Sequence, residues 1–301
     1  LRHALRRMVS AITQTVSVGR EMTNVAPEVG LLYTPNDQWQ LRARIGTGYG
    51  TPQFSNLFIQ PDGSAGNNTD LKTQSNIGYD LGADWTPVKG VTLSVTGFYE
   101  LFTNEIVSQA SLTPGGSNFS YNAPASEHRG VEVMANVALT DSVRLTAAYL
   151  YNNQIYTDYD EVVSGAPNAV SRAGNKIPGV SSNELTARVS YDTPSGIYKG
   201  VGAYVEYQWH DGFYMENANL LWAPGYQTVD VNVHYEQTLN WGPVKSFLAY
   251  FEVRNVLDEV YIASANNIAD RDGFTAGDLA KTAGSIYAGA PRTFYGGMKV
   301  R

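Results

Sequence analysis

Residues 39–49 read WQLRARIGTGY, with Trp39, Leu41, Ala43, Ile45 and Tyr49 at odd positions and Gln40, Arg42 and Arg44 between them. Strict alternation sends successive side chains to opposite faces of an extended strand, so one face is apolar and the other polar. The pattern recurs in NIGYDLGADW, GVEVMANVAL, VRLTAAYLY, ELTARVSY, VGAYVEYQW, TVDVNVHY and FLAYFEVRN, while helical periodicity is almost absent. A chain written this way has to be a sheet with two chemically different sides.

About eleven strands are expected, of roughly 8 to 14 residues each: 27–34, 39–50, 76–87, 91–107, 119–139 (with an interruption), 143–157, 179–192, 200–210, 226–236, 246–257 and 292–301. Their connections alternate in length. Short turns are expected after residues 34, 86, 140, 193 and 236, and long segments rich in Gly, Asn, Ser and Asp at 51–75, 108–118, 158–178, 211–225 and 258–291. Short turns at one end and long loops at the other are the pattern of a transmembrane β-barrel, and a soluble β-sandwich seldom carries all its long loops at one end. The apolar face of most strands also carries Tyr or Trp near an end: Trp39, Tyr49, Tyr79, Trp85, Tyr99, Tyr151, Tyr191, Tyr207, Trp209 and Tyr235. Those positions suit aromatic girdles at the lipid headgroups.

Composition narrows the functional classes. There is no cysteine, so disulfides, thiolate catalysis and Cys-based metal sites are excluded. A net charge of −7 argues against nucleic acid as a partner. No apolar run reaches the roughly 18 residues that a transmembrane helix needs. LRHALRRMVSAITQTV has a basic start, but no apolar core or cleavage site of a signal peptide follows. Bacterial barrels close on an even number of strands with both chain ends on the periplasmic side. An odd count whose first strand enters from outside leads to the expectation of one part of a longer barrel.

RNVLDEVYIAS, at 254–264, resembles the segment near the end of TonB-dependent outer-membrane receptors, where Asn-Leu-Phe-Asp followed by an aromatic is typical. Asn255, Asp258 and Tyr261 match, and Leu257 stands where Phe is usual. Asn and Asp suit a strand end because they cap their own backbone. In the same order as in that family, TNVAPEVGLLYTPND, GNNTDLKTQSNIGYDLGADW, GFYELFTNEIV, YNAPASEHRGVEV, GNKIPGVSSNELTARVSYD and GAPRTFYGGMKVR are also similar. Departures include Thr69, Thr73, Gln74 and Ser181, and Arg301 where the family ends on an aromatic. The resemblance implies an all-β, antiparallel portion, like the second half of a barrel of about 22 strands. Residues 27–301 would form that partial barrel, without the plug or the preceding strands, and residues 1–26 are left unassigned.

The resemblance also implies a Gram-negative outer-membrane receptor for energy-coupled uptake of a scarce ligand, with a ferric siderophore as the first expectation. The bilayer and lipopolysaccharide would be its surroundings, and TonB would act only through a plug. Loop aromatics able to stack on a chelator are Tyr49, Phe54, Phe58, Tyr121, Phe213, Tyr214 and Trp222. Rim packing is the plainer role for any one of them. No cofactor, no protein-bound metal and no catalysis are expected: GxSxG is absent, and His210-Asp211 has no serine nucleophile visible beside it. The alternative is a passive outer-membrane pore or structural barrel.

Overall fold

A computed structural model describes residues 22–301 apart from 61–62, 110–118, 164, 243, 267, 269 and 282–284. Residues 1–21 of the unassigned segment therefore lie outside the described residues. Eleven strands form one antiparallel sheet in simple up-and-down order: β1 (Glu28–Asn36), β2 (Trp39–Gly50), β3 (Gln74–Trp85), β4 (Val91–Gln109), β5 (Phe119–Ala138), β6 (Val143–Asp158), β7 (Asn183–Asp192), β8 (Val201–His210), β9 (Tyr226–Trp241), β10 (Val244–Arg254) and β11 (Thr293–Val300). Among the described residues the sheet is not closed, since β1 and β11 each pair on one side only.

The register puts the two alternating sets on opposite sides without a break. Across β2 to β4 the outward rows are Trp39–Trp85–Leu93, Leu41–Ala83–Val95 and Ala43–Leu81–Gly97. Farther along the sheet, Val189, Val205, Val231 and Val253 form one such row. These side chains are exposed or half-exposed, with Leu81 at 71% and Val205 at 50%. Large apolar groups remain uncovered on this face because its solvent is lipid. Trp39 and Trp85 stack at 5.6 Å beside the short-turn end, one piece of the aromatic girdle.

The inward face carries charges, and several of them pair on the wall itself. Arg42 bonds Asp84, and Arg44 lies 2.9 Å from both Asp80 and Glu28. Arg188 meets Glu206 at 2.6 Å and covers the Tyr204 ring at 4.0 Å. The Tyr204 hydroxyl donates to Glu252 at 2.8 Å, and Glu252 also pairs with Arg254.

Three details of the strands differ from expectation. β4 and β5, at 19 and 20 residues, lie close to their expected spans of 91–107 and 119–139 but exceed the general length of roughly 8 to 14. β5 is not interrupted; a bulge at Ala125/Ser126 absorbs the irregularity. β9 runs on to Trp241, so the fifth short turn follows Trp241 and not residue 236. At the preceding short turn, Gly200 has φ +91, and a Cβ there would lie 1.9 Å from the Glu236 carbonyl oxygen. That position therefore admits only glycine.

Packing against protein is concentrated above the sheet. Ala123, Tyr156 and Tyr159 are fully buried together, with Val107 and Ile177 against them. This core joins the tall β4–β5 hairpin to the segment after β6 and holds the long loops in place.

Candidate functional site at the long-loop end

β10 leaves the sheet through Asn255 and Asp258, both in the left-handed region at φ +50 and +59. Asn tolerates that conformation better than most residues because its short polar side chain bonds locally. The Asn255 Nδ2 donates to the carbonyls of Glu259 (2.9 Å) and Ala290 (3.1 Å), and its Oδ1 accepts the Glu259 N–H at 2.8 Å. The Asp258 carboxylate accepts the Arg292 N–H at 2.9 Å. The two residues thus close the base of the 255–292 loop, tying its start to its end. Tyr261 stacks on Tyr226 at 3.9 Å, and a Cβ on Gly289 would come within 2.0 Å of the Tyr261 ring.

Asn255 is 4% exposed, and its amide ties main-chain groups at both ends of the loop. Asn255→Ala is expected to cost about 1–3 kcal/mol through three lost hydrogen bonds and a left-handed backbone that alanine adopts poorly. Limited proteolysis of outer membranes should then cut within 255–292 several-fold faster. Asn255→Gly keeps the backbone conformation and should still be cut faster, which separates hydrogen bonding from strain.

One buried cation braces this loop to two others. Arg172 bonds Glu161 and Asp270, each at 2.7 Å, with only 6% of its side chain exposed. Glu161 also accepts from Asn217 Nδ2 at 2.9 Å, and Asn217 accepts from Tyr156 at 3.1 Å. Segments 159–182, 211–225 and 255–292 are thereby one connected body. Desolvation is the largest influence on Arg172 and opposes its charge, yet the two carboxylates outweigh it and raise its pKa.

Tyr159 packs against Tyr156 at 4.9 Å and Tyr121 at 6.2 Å, and its hydroxyl has no hydrogen-bond partner among the described residues. Burial, and after it the charge of Glu161, push its pKa up. A raised tyrosine pKa contributes stability that is whole below the ordinary value of about 10 and fades as pH climbs through the folded value. The loop body is therefore expected to loosen in alkali, read by hydrogen exchange across 159–182. Tyr159→Phe should remove that Tyr159 contribution and leave neutral-pH stability equal or about 1 kcal/mol higher, since it deletes an unpaired buried hydroxyl.

A cavity of about 540 Å³ lies between segment 51–73, the top of β4–β5 and Val162. Its wall mixes Leu71, Phe119 and Tyr121 with the carboxamides of Asn68, Gln109 and Asn122. Those amides are fixed: Asn68 donates to Ser120 O at 2.7 Å, and Asn122 donates to Lys72 O and Asn104 O at 3.0 and 2.8 Å. The wall is built before any ligand arrives.

The seven aromatics expected at a ligand site are dispersed among separate neighbours. Tyr121 lines the cavity, half exposed. Phe54 and Phe58 meet edge-on at 4.5 Å, and Tyr49 is exposed at the end of β2. Tyr214 and Trp222 pack on each other at 4.8 Å across a two-residue ribbon, and Phe213 in that ribbon is only 5% exposed. The ribbon's rings thus hold the 211–225 loop in shape. His210 stacks on Tyr226 at 4.8 Å and lies 3.7 Å from Glu184, a rim position. Arg172, Glu161 and Asp270 were missed by sequence reasoning. The one available signal was an arginine alone in the neutral stretch SGAPNAVSRAG.

Residues 9–256 match the family described as TonB dependent receptor-like, beta-barrel, which reaches into the segment that the sequence left unassigned. The ferrioxamine B receptor of Salmonella typhimurium is 29% identical over 143 residues, 48% of this chain and 19% of that protein. The ferrichrome outer membrane transporter/phage receptor of Escherichia coli is 27% identical over 72% of this chain and 27% of its own length. Among solved structures, the ferric citrate transporter FecA superposes with a TM-score of 0.62 at 21% identity, covering 91% of this chain and 37% of that one. The copper transporter OprC gives 0.66 at 16% identity, covering 90% and 38%. This chain spans well under half of each of these proteins. At such identities the structural likeness speaks for the fold alone, and the family match reaches further: this chain belongs to the TonB-dependent receptor β-barrel family of the Gram-negative outer membrane.

Proposed function

We propose that this chain supplies wall strands and external loops to a receptor that takes up a scarce ligand across the outer membrane with energy from TonB, and that the ligand is a ferric siderophore. The observation that carries the reading is the built mouth: loops braced by Arg172 and Asn255 beside a preformed cavity of about 540 Å³, above a wall of paired charges. A cavity of that size suits a compact chelate. The names of the ferrioxamine B and ferrichrome relatives support an iron chelate as cargo. Coupling would run through a plug seated against the inward face, and the outward rows would contact bilayer and lipopolysaccharide. The chain does no catalysis in this reading, in keeping with a family of receptors and transporters.

The test is uptake of radioactive iron from a panel of ferric siderophores by cells that lack their own siderophore receptors and express the whole receptor carrying this chain. Saturable uptake that stops when the proton gradient is collapsed is the expected result. Flux that persists without the gradient would favour a passive pore, and no uptake from any chelate would defeat the siderophore reading.

A further inference from the structure

Resting on the siderophore reading, we propose that the external mouth selects ferric chelates that are neutral or positively charged and turns away multiply anionic ones. The outer segments 51–73, 159–182, 211–225 and 255–292 hold eleven acidic and six basic residues. Their net of −5 is most of the −7 of the whole chain. A field of one sign over a mouth raises or lowers the local concentration of charged ligands before contact.

The cavity wall adds to this. Among the described residues its only charged ones are Asp70 and Lys72, which cancel, and the rest of its polar lining is carboxamide and hydroxyl. A neighbouring cavity of about 260 Å³ has Glu105, Glu161 and Glu216 in its wall and no basic residue lining it among the described residues, although Glu161 is paired with Arg172 behind the wall. Three of the six basic residues are engaged elsewhere. Arg172 is enclosed by two carboxylates, Lys176 Nζ donates to Ser182 Oγ at 2.7 Å, and the Arg271 guanidinium lies over the Phe274 ring at 5.8 Å. An anionic chelate would meet fixed carboxylates and few available cations.

Coordination chemistry turns this into a ligand class. Each hydroxamate carries one negative charge, so three neutralise a ferric ion, and an added ammonium group makes the complex cationic. Each catecholate carries two, so the tris complex keeps three negative charges. The amide-rich wall also offers the donors and acceptors that hydroxamate and peptide-like backbones use.

Binding to the purified whole receptor, read by quenching of tryptophan fluorescence, separates the cases. The probes are a neutral hexadentate ferric trihydroxamate, the same compound bearing one ammonium group, and a hexadentate ferric tricatecholate. The expected result is tricatecholate binding at least tenfold weaker than either trihydroxamate, with the gap narrowing as salt screens the field. The double variant Glu259→Lys/Asp272→Lys moves the net charge of the outer segments from −5 to −1. It should strengthen tricatecholate binding several-fold, weaken the ammonium-bearing compound and leave the neutral one unchanged. Tricatecholate bound as tightly as the neutral chelate would overturn the inference. Binding of no chelate would defeat the siderophore reading and this inference with it. Selective binding without uptake would remove only the transport reading.

Discussion

Arg172→Met is expected to loosen three external segments at once. The substitution leaves Glu161 and Asp270 facing each other in a buried site with no cation between them. Removing one partner from a buried ionic group typically costs about 3–5 kcal/mol, because the remaining charge is stranded away from water. Hydrogen exchange should therefore quicken in 159–182 and 255–292 together, and in 211–225 through Asn217. The triple variant Arg172→Met/Glu161→Gln/Asp270→Asn removes the stranded charges and should recover much of the loss. If the single variant loosens only 159–182, the loops are independent and the brace is not one body. Exchange in the membrane-embedded parts of β2, β3 and β8 should stay unchanged throughout.

Val205→Arg is the second large effect, and it acts through lipid. Val205 lies mid-strand in β8 between Val189 and Val231, on the outward face. An arginine at the bilayer midplane of a barrel costs about 2–4 kcal/mol. The folded fraction in the outer membrane, read from heat-modifiable gel mobility, should fall sharply. Gln208→Lys, three residues along the same strand on the inward face beside Glu206, should cost little. Equal losses for the two would mean that β8 does not border lipid, and the assignment of faces would fail.

The faces were legible in the sequence because each strand borders two different solvents. Wherever lipid lay on one side and the polar lumen on the other, as at Leu41/Arg42 or Val205/Glu206, the period of two was unambiguous. Strand ends were less legible where that contrast fades. The β4–β5 hairpin climbs out of the membrane, where Asn104, at φ +57, breaks the regular strand conformation. β9 continues past residue 236 because QTLNW still alternates. The motif at Asn255 and Asp258 was readable because its left-handed turn and its Asn255–Glu259 bonds are local, whereas its bonds to Ala290 and Arg292 were not. The Arg172–Asp270 contact was not, since it joins residues 98 positions apart. Nor could composition say that Tyr214 and Trp222 would face each other, since that depends on the pairing of a two-residue ribbon.

The self-paired charges of the inward wall have a consequence for anything that moves along it. A closed ion pair is, a few ångströms away, a dipole, and its field decays faster than that of a lone charge. Arg42 with Asp84, Arg188 with Glu206 and Arg254 with Glu252 therefore hold little at a distance. A body in contact with this wall can hydrogen-bond to it, yet once displaced by a water layer it meets no long-range pull. Adhesion is short-ranged, so sliding past these strands requires breaking contacts one by one against a low electrostatic background.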